Sequence, residues 1–188
     1  MKKLLPIIIL VLILLFYFFA KNQKQVSPVS PVSPTPVATL PAATTSAVLG
    51  QQTKSSNCLI VDAMQDKDCT PGAVFPNVTK DDVCVSGYSS RVRNVSESEK
   101  EMVFAEYSIS SRPKGAYEVD HLISLELGGS NDIANLWPEA ADPRPGFHEK
   151  DKVENYLHAQ VCMGAISLQQ AQNEIANDWL DVYKSISQ

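Results

Sequence analysis

An Asp-His pair, Asp120-His121, is followed by a glycine turn, Gly128-Gly129-Ser130-Asn131, and then by Asn135-Leu136. These residue types share a chemistry. A hard divalent cation prefers carboxylate oxygen, which Asp120 supplies. A neutral imidazole, here His121, can take a proton from water near pH 7. A metal beside them would neutralise charge developing on a phosphate and its leaving oxygen. The pair lies in a strand-like pattern, and adjacent strand residues point to opposite faces. Asp120 and His121 can therefore serve a metal and a water together only where the backbone departs from a regular strand. A turn or cap role for Asp120 is the plainer alternative, but an unpaired carboxylate within an apolar strand pattern is costly.

Taken as a whole, residues 117–138 resemble the HNH endonucleases, a family with a ββα-metal fold. The resemblance implies that His121 is the general base and Asp120 a metal ligand. It implies that Asn135 holds the loop carrying His121 through side-chain hydrogen bonds. It makes His148, near the start of the next helix, the second protein ligand, around one divalent cation expected to be magnesium. In the family the helix residue follows the Asn more closely; here residues 140–146 add a loop before His148. At about 100° per residue, His148, Asn155 and His158 lie on one broad helix face, so Asn155 and His158 stay open as alternate ligands. The zinc-binding cysteine pairs of some relatives are absent.

The activity implied is hydrolysis of phosphodiester bonds in DNA, with RNA as the alternative substrate. Low sequence specificity is expected, since no helix-turn-helix, zinc finger or basic arm stands out. Arg91, Arg93 and Arg144 are candidate phosphate contacts, although scattered cations are usually solvated surface. A reading from another class is a non-catalytic cell-surface binding module that keeps the HNH scaffold. No Ser or Cys nucleophile in a recognisable setting supports a peptidase.

The elements that must position these residues give an α+β fold, with a small ββα-metal core and flanking helices. Residues 117–127 read as a strand pair or strand-rich loop, closed by the glycine turn. Two prolines and a glycine make residues 142–146 a loop. From His148 the pattern turns helical, with Val153, Leu157 and Val161 on one face. Ser167 opens another capped helix, whose Leu168, Ala171, Ile175, Trp179 and Tyr183 should bury. Upstream, Ser96-Glu97-Ser98-Glu99 is a capping box ahead of Met102, Val103, Phe104 and Tyr107 on one helical stripe. Leu59-Ile60-Val61 reads as a short strand.

The chain has 188 residues and four cysteines, Cys58, Cys69, Cys84 and Cys162. An even number beyond an export segment fits disulfides. Three pairings are possible. The expectation is Cys58–Cys69, which closes a local loop, and Cys84–Cys162, which ties the early segment to a late helix. Residues 1–21 hold an uncharged apolar run preceded by Lys2 and Lys3, long enough to come close to crossing a bilayer. Bulky Phe18 and Phe19 before Ala20 make a poor cleavage site, which favours a retained transmembrane anchor over a signal peptide. Residues 22–57 form a linker rich in Pro, Ser and Thr, with a repeated Val-Ser-Pro unit, and residues 58–188 form the nuclease-like domain. Either N-terminal reading places that domain outside the cytoplasm, anchored or secreted. The net charge of −5 argues against a broad basic surface. Nucleic acid and the membrane are the expected partners, and no protein-binding motif stands out.

Overall fold

In a computed structural model the described residues are 49–188. The anchor or signal segment, and most of the linker, lie outside them. Among the described residues no helix is long and apolar enough to cross a membrane.

The first part of the chain is held by local devices. Cys58 and Cys69 are joined in one disulfide. Residues 49–57, assigned to the linker by composition, are bonded to this region: Gly50 N–H donates to Gly72 O at 2.6 Å and Thr53 N–H to Asp68 O at 2.8 Å. The strand expected at residues 59–61 does not form. Val61 bridges only to Met64, across Asp62 and Ala63, which both have positive φ.

Three short helices follow: α1 (Lys80–Val83), α2 (Tyr88–Val92) and α3 (Glu97–Glu106). α3 begins at the capping box, where the Ser96 side chain accepts from Glu99 N–H and the Glu99 carboxylate accepts from Ser96 N–H. Val103 is buried from this helix, whereas Met102 stays half exposed.

The sheet has two antiparallel strands, β1 (Tyr117–His121) and β2 (Leu136–Ala140), in the register Glu118↔Glu139, Asp120↔Trp137, His121↔Leu136. Two 3-10 turns, Leu125–Leu127 and Ile133–Asn135, fill the connection. After the loop come α4 (Phe147–Met163) and α5 (Leu168–Ile186). Val153, Leu157 and Val161 of α4 are fully buried, as are Ala171, Ile175 and Trp179 of α5. Their spacing of three or four residues puts each set on one face, so the two helices close a shared core with Leu122, Ile123 and Leu127. α5 starts at Ser167, whose hydroxyl accepts from Gln170 N–H, and kinks at Asp178. The second disulfide, Cys84–Cys162, ties the end of α1 to α4. The described residues are thus α+β: helices around a small two-stranded sheet. Two disulfides fit an oxidising environment.

Candidate active site

The segment between the strands is organised around Asn135, which is fully buried. Its Oδ1 accepts from Ile123 N–H at 2.9 Å and Ala73 N–H at 3.3 Å. Its Nδ2 donates to Ile123 O at 3.0 Å and Ser130 O at 2.9 Å. One amide thereby satisfies three backbone groups on both limbs of the loop that follows His121 and a fourth, Ala73 N–H, on the upstream segment packed against it. The glycine turn makes room for it. A side chain on Gly129 would sit 1.7 Å from Ile123 O and 2.9 Å from Asn135 Nδ2, and Gly128 adopts a left-handed φ of +76°.

His121, at the end of β1, is only 2% exposed. Its Nε2 lies 3.1 Å from Asn131 Oδ1. The Asn131 amide is oriented by two other bonds, since its Nδ2 donates to Val92 O and its Oδ1 accepts from Asn94 N–H. Oδ1 can only accept, so Nε2 carries the proton and Nδ1 the lone pair. Nδ1 is buried with no hydrogen-bond partner. Burial is the largest influence on this imidazole and holds its pKa below the ordinary value, so the ring is neutral at neutral pH.

Asp120 points to the other face of β1, as adjacent strand residues do. There its Oδ2 accepts from Lys150 Nζ at 2.7 Å. Lys150, on α4, is fully buried. It also donates to His121 O at 2.8 Å and pairs with Glu154, one turn along the helix. Glu139, on β2, shares the Asp120 face by register and is 1% exposed. Burial pushes its carboxyl up to about 10, with Lys150 opposing and Asp120 adding. Burial would raise Asp120 as well, but Lys150 outweighs it and holds Asp120 below its ordinary value. Burial alone would lower Lys150, yet Asp120, Glu154 and Glu139 raise it, so the ammonium stays charged.

Carboxylate oxygens are the donors a hard cation prefers, but here Lys150 holds Asp120 Oδ2 and Glu139, protonated at neutral pH, shares its proton with Asp120, so the cluster is satisfied without a cation. Of the α4 residues singled out in the sequence, His148 is exposed with its ring against Phe147, at 4.3 Å between centroids. Burial, with the Asp120 and Asp151 carboxylates, holds the Glu118 carboxyl above its ordinary value, and His148 opposes that only in part. Asn155 is exposed and donates to Asp151 O of its own helix. His158 Nε2 donates to Val83 O and lies 3.4 Å from Cys162 Sγ, at the disulfide rather than with Asp120. Cys84, His158 and Cys162 bring ligand atoms within 4.8 Å of one another. The two sulfurs are bonded together, however, and offer no thiolates while the disulfide stands.

Lys150, Glu154, Glu139 and Asn131 went unmarked in the sequence. Lys150 lies on the face of α4 that carries Val153 and Leu157, where periodicity predicts only apolar side chains. Its signal was the i,i+4 pair Lys150–Glu154 on that buried face.

On the His121 side of β1 a groove of about 400 Å³ is lined by Arg93, Lys100, Phe104, Tyr117, Glu118 and His121, among others. Of the three arginines expected at phosphate, Arg93 alone reaches this groove, and it has no ion pair among the described residues. Arg91 donates to Ser86 O, and Arg144 pairs with Glu149 at 3.3 Å. No family model, curated protein or solved structure matches the chain.

Proposed function

We propose that the folded unit is a metal-dependent phosphodiester hydrolase of the HNH type, acting on nucleic acid outside the cytoplasm. The observation that carries this reading is His121: a neutral imidazole with Nε2–H fixed on Asn131 and an unpartnered lone pair at Nδ1, beside a groove that also holds Arg93. Further support comes from the order of parts. A strand with Asp120-His121, a loop clamped by Asn135, a returning strand and a helix match the ββα-metal pattern of that family.

In this account His121 Nδ1 takes a proton from water as the water oxygen bonds to phosphorus. The bond from phosphorus to the leaving ester oxygen breaks, the leaving oxygen gains a proton from solvent, and His121 returns its proton to solvent. Asn131 keeps the imidazole in the required tautomer, and Asn135 keeps the loop after His121 in place. In the family the cation is held by the residues that Asp120 and His148 match; here Asp120 lies on the strand face opposite His121 with Lys150 at 2.7 Å, and His148 is exposed on α4, so these two residues do not fit a cation at the His121 phosphate, and one would have to enter from the groove side. Such a cation, magnesium in the first instance, would supply charge neutralisation at the phosphate. Arg93 stands at the groove to contact phosphate.

A second reading draws on Lys150. Its ammonium already occupies Asp120 and Glu154, which favours a binding module that keeps the scaffold without cleavage. The test is the oxidised full chain in mild detergent with plasmid and single-stranded substrates, comparing magnesium, manganese and chelator. Metal-dependent cutting supports the hydrolase. Binding of nucleic acid with no cutting under any of these conditions supports the module.

A further inference from the structure

The groove beside His121 has a composition of its own. One wall is aromatic and already fixed. Phe104 meets Tyr117 edge-on, with centroids 6.4 Å apart and planes at 80°. Arg112 covers Phe104, its guanidinium carbon 4.6 Å from the ring centroid, and is itself held by Glu101 at 2.8 Å. The residue paired with Tyr117 across the sheet is Ala140, whose methyl group covers little of a neighbouring ring. Lys100, one turn before Phe104 on α3 and paired with Glu97, lines the groove with Arg93, Glu118 and His121. Arg93, which has no ion pair among the described residues, an aromatic pair, the buried His121 and one carboxylate, Glu118, therefore share a space of about 400 Å³.

Resting on the hydrolase reading, we propose that this groove takes a single unpaired nucleotide, its base against the Tyr117–Phe104 wall and its phosphate beside Arg93 and His121. The substrate class is then single-stranded nucleic acid, or the frayed and looped parts of a duplex. His121 is 2% exposed, so a phosphodiester must be drawn into the groove to meet it. An unpaired nucleotide can rotate into such a space, whereas a stacked base pair first pays to unstack. Proteins that grip duplexes neutralise many phosphates, and a chain of net charge −5 whose groove holds, among the described residues, one arginine without an ion pair is poorly equipped for that. Stacking on aromatic side chains is the alternative source of affinity, and it tolerates any base.

The experiment measures binding by fluorescence anisotropy, using the full chain in mild detergent carrying His121→Ala to prevent cutting. The probes are short single-stranded DNA, the same sequence as RNA, and the matched DNA duplex. Single strands should bind at least about tenfold more tightly than the duplex. Tyr117→Leu and Phe104→Leu should each weaken single-strand binding by about five- to hundredfold, while Tyr117→Phe keeps it. The salt dependence should be shallow, with Arg93→Gln reducing its slope by about one. Comparing the DNA and RNA strands separates the two sources of the same chemistry. Equal or tighter duplex binding, or indifference to the leucine substitutions, would overturn the groove assignment. Cutting by the wild-type chain is followed in parallel. If it persists in that case, the hydrolase reading survives the loss of the groove; if it too is absent, that reading falls separately.

Discussion

His121 and Asp120 are neighbours in sequence, yet they face different surroundings. His121 looks toward Asn131 and the groove, Asp120 toward Lys150. The alternation of strand side chains makes that division legible in the sequence. The partners are not legible there, because each comes from a distant segment. Lys150 is the least expected of them, a charged residue at a helical position that periodicity gives to the core. Its ammonium links α4 to both residues of the pair, through the Asp120 carboxylate and the His121 carbonyl. Removing one partner from a buried ion pair leaves the others desolvated and uncompensated. Lys150→Met should therefore cost about 3–5 kcal/mol of stability, read from urea unfolding. A loss below about 1 kcal/mol would mean that water readily replaces the ammonium.

At the scale of elements, the helices are the most legible part. Their capping boxes and apolar stripes are local signals, and α3, α4 and α5 follow them. The segment before α1 departs from its pattern. Residues 59–61, Leu-Ile-Val, form a short apolar run like a buried strand, but a disulfide and one carboxylate impose turns instead. Asp66 accepts from Lys54 Nζ at 2.8 Å, Leu59 N–H at 3.1 Å and Asp68 N–H at 3.1 Å. A pattern within three residues cannot report such a non-local clamp. Burial would raise the Asp66 carboxyl, but Lys54 and the two amides outweigh it, so its folded pKa lies below the ordinary value. The stabilisation from this group is complete above its unfolded value, about 3.9, and is lost as pH falls through the folded value. Asp66→Asn should thus cost about 1–2 kcal/mol near neutral pH. That difference should shrink toward zero in strong acid, as measured by thermal unfolding across pH. A cost independent of pH would show that the charge contributes nothing.

For the whole molecule, an even cysteine count predicts disulfides, and both bridges form as the loop-closing argument suggests. They differ in reach. Cys58–Cys69 spans 11 residues and Cys84–Cys162 spans 78. Loop-closure entropy gives about 3 kcal/mol for the shorter and about 4.5 kcal/mol for the longer at 25 °C. Replacing Cys84 and Cys162 together by Ser should lower the unfolding temperature more than replacing Cys58 and Cys69. The reverse order would show that the local loop, rather than the tie between α1 and α4, limits stability. The acidic balance of the chain argues against a broad basic face, and among the described residues Arg93 is the one cation lining the groove without an ion pair. The central claim remains chemical, and it rests on one imidazole. Its most direct test compares cleavage of single-stranded DNA by the oxidised full chain and by His121→Ala, with magnesium or manganese and with chelator. Metal-dependent cutting should fall by at least about a hundredfold in the variant, which should still unfold cooperatively in urea, at a lower midpoint because a buried, hydrogen-bonded side chain is lost. Cutting that survives the substitution undiminished would contradict that claim.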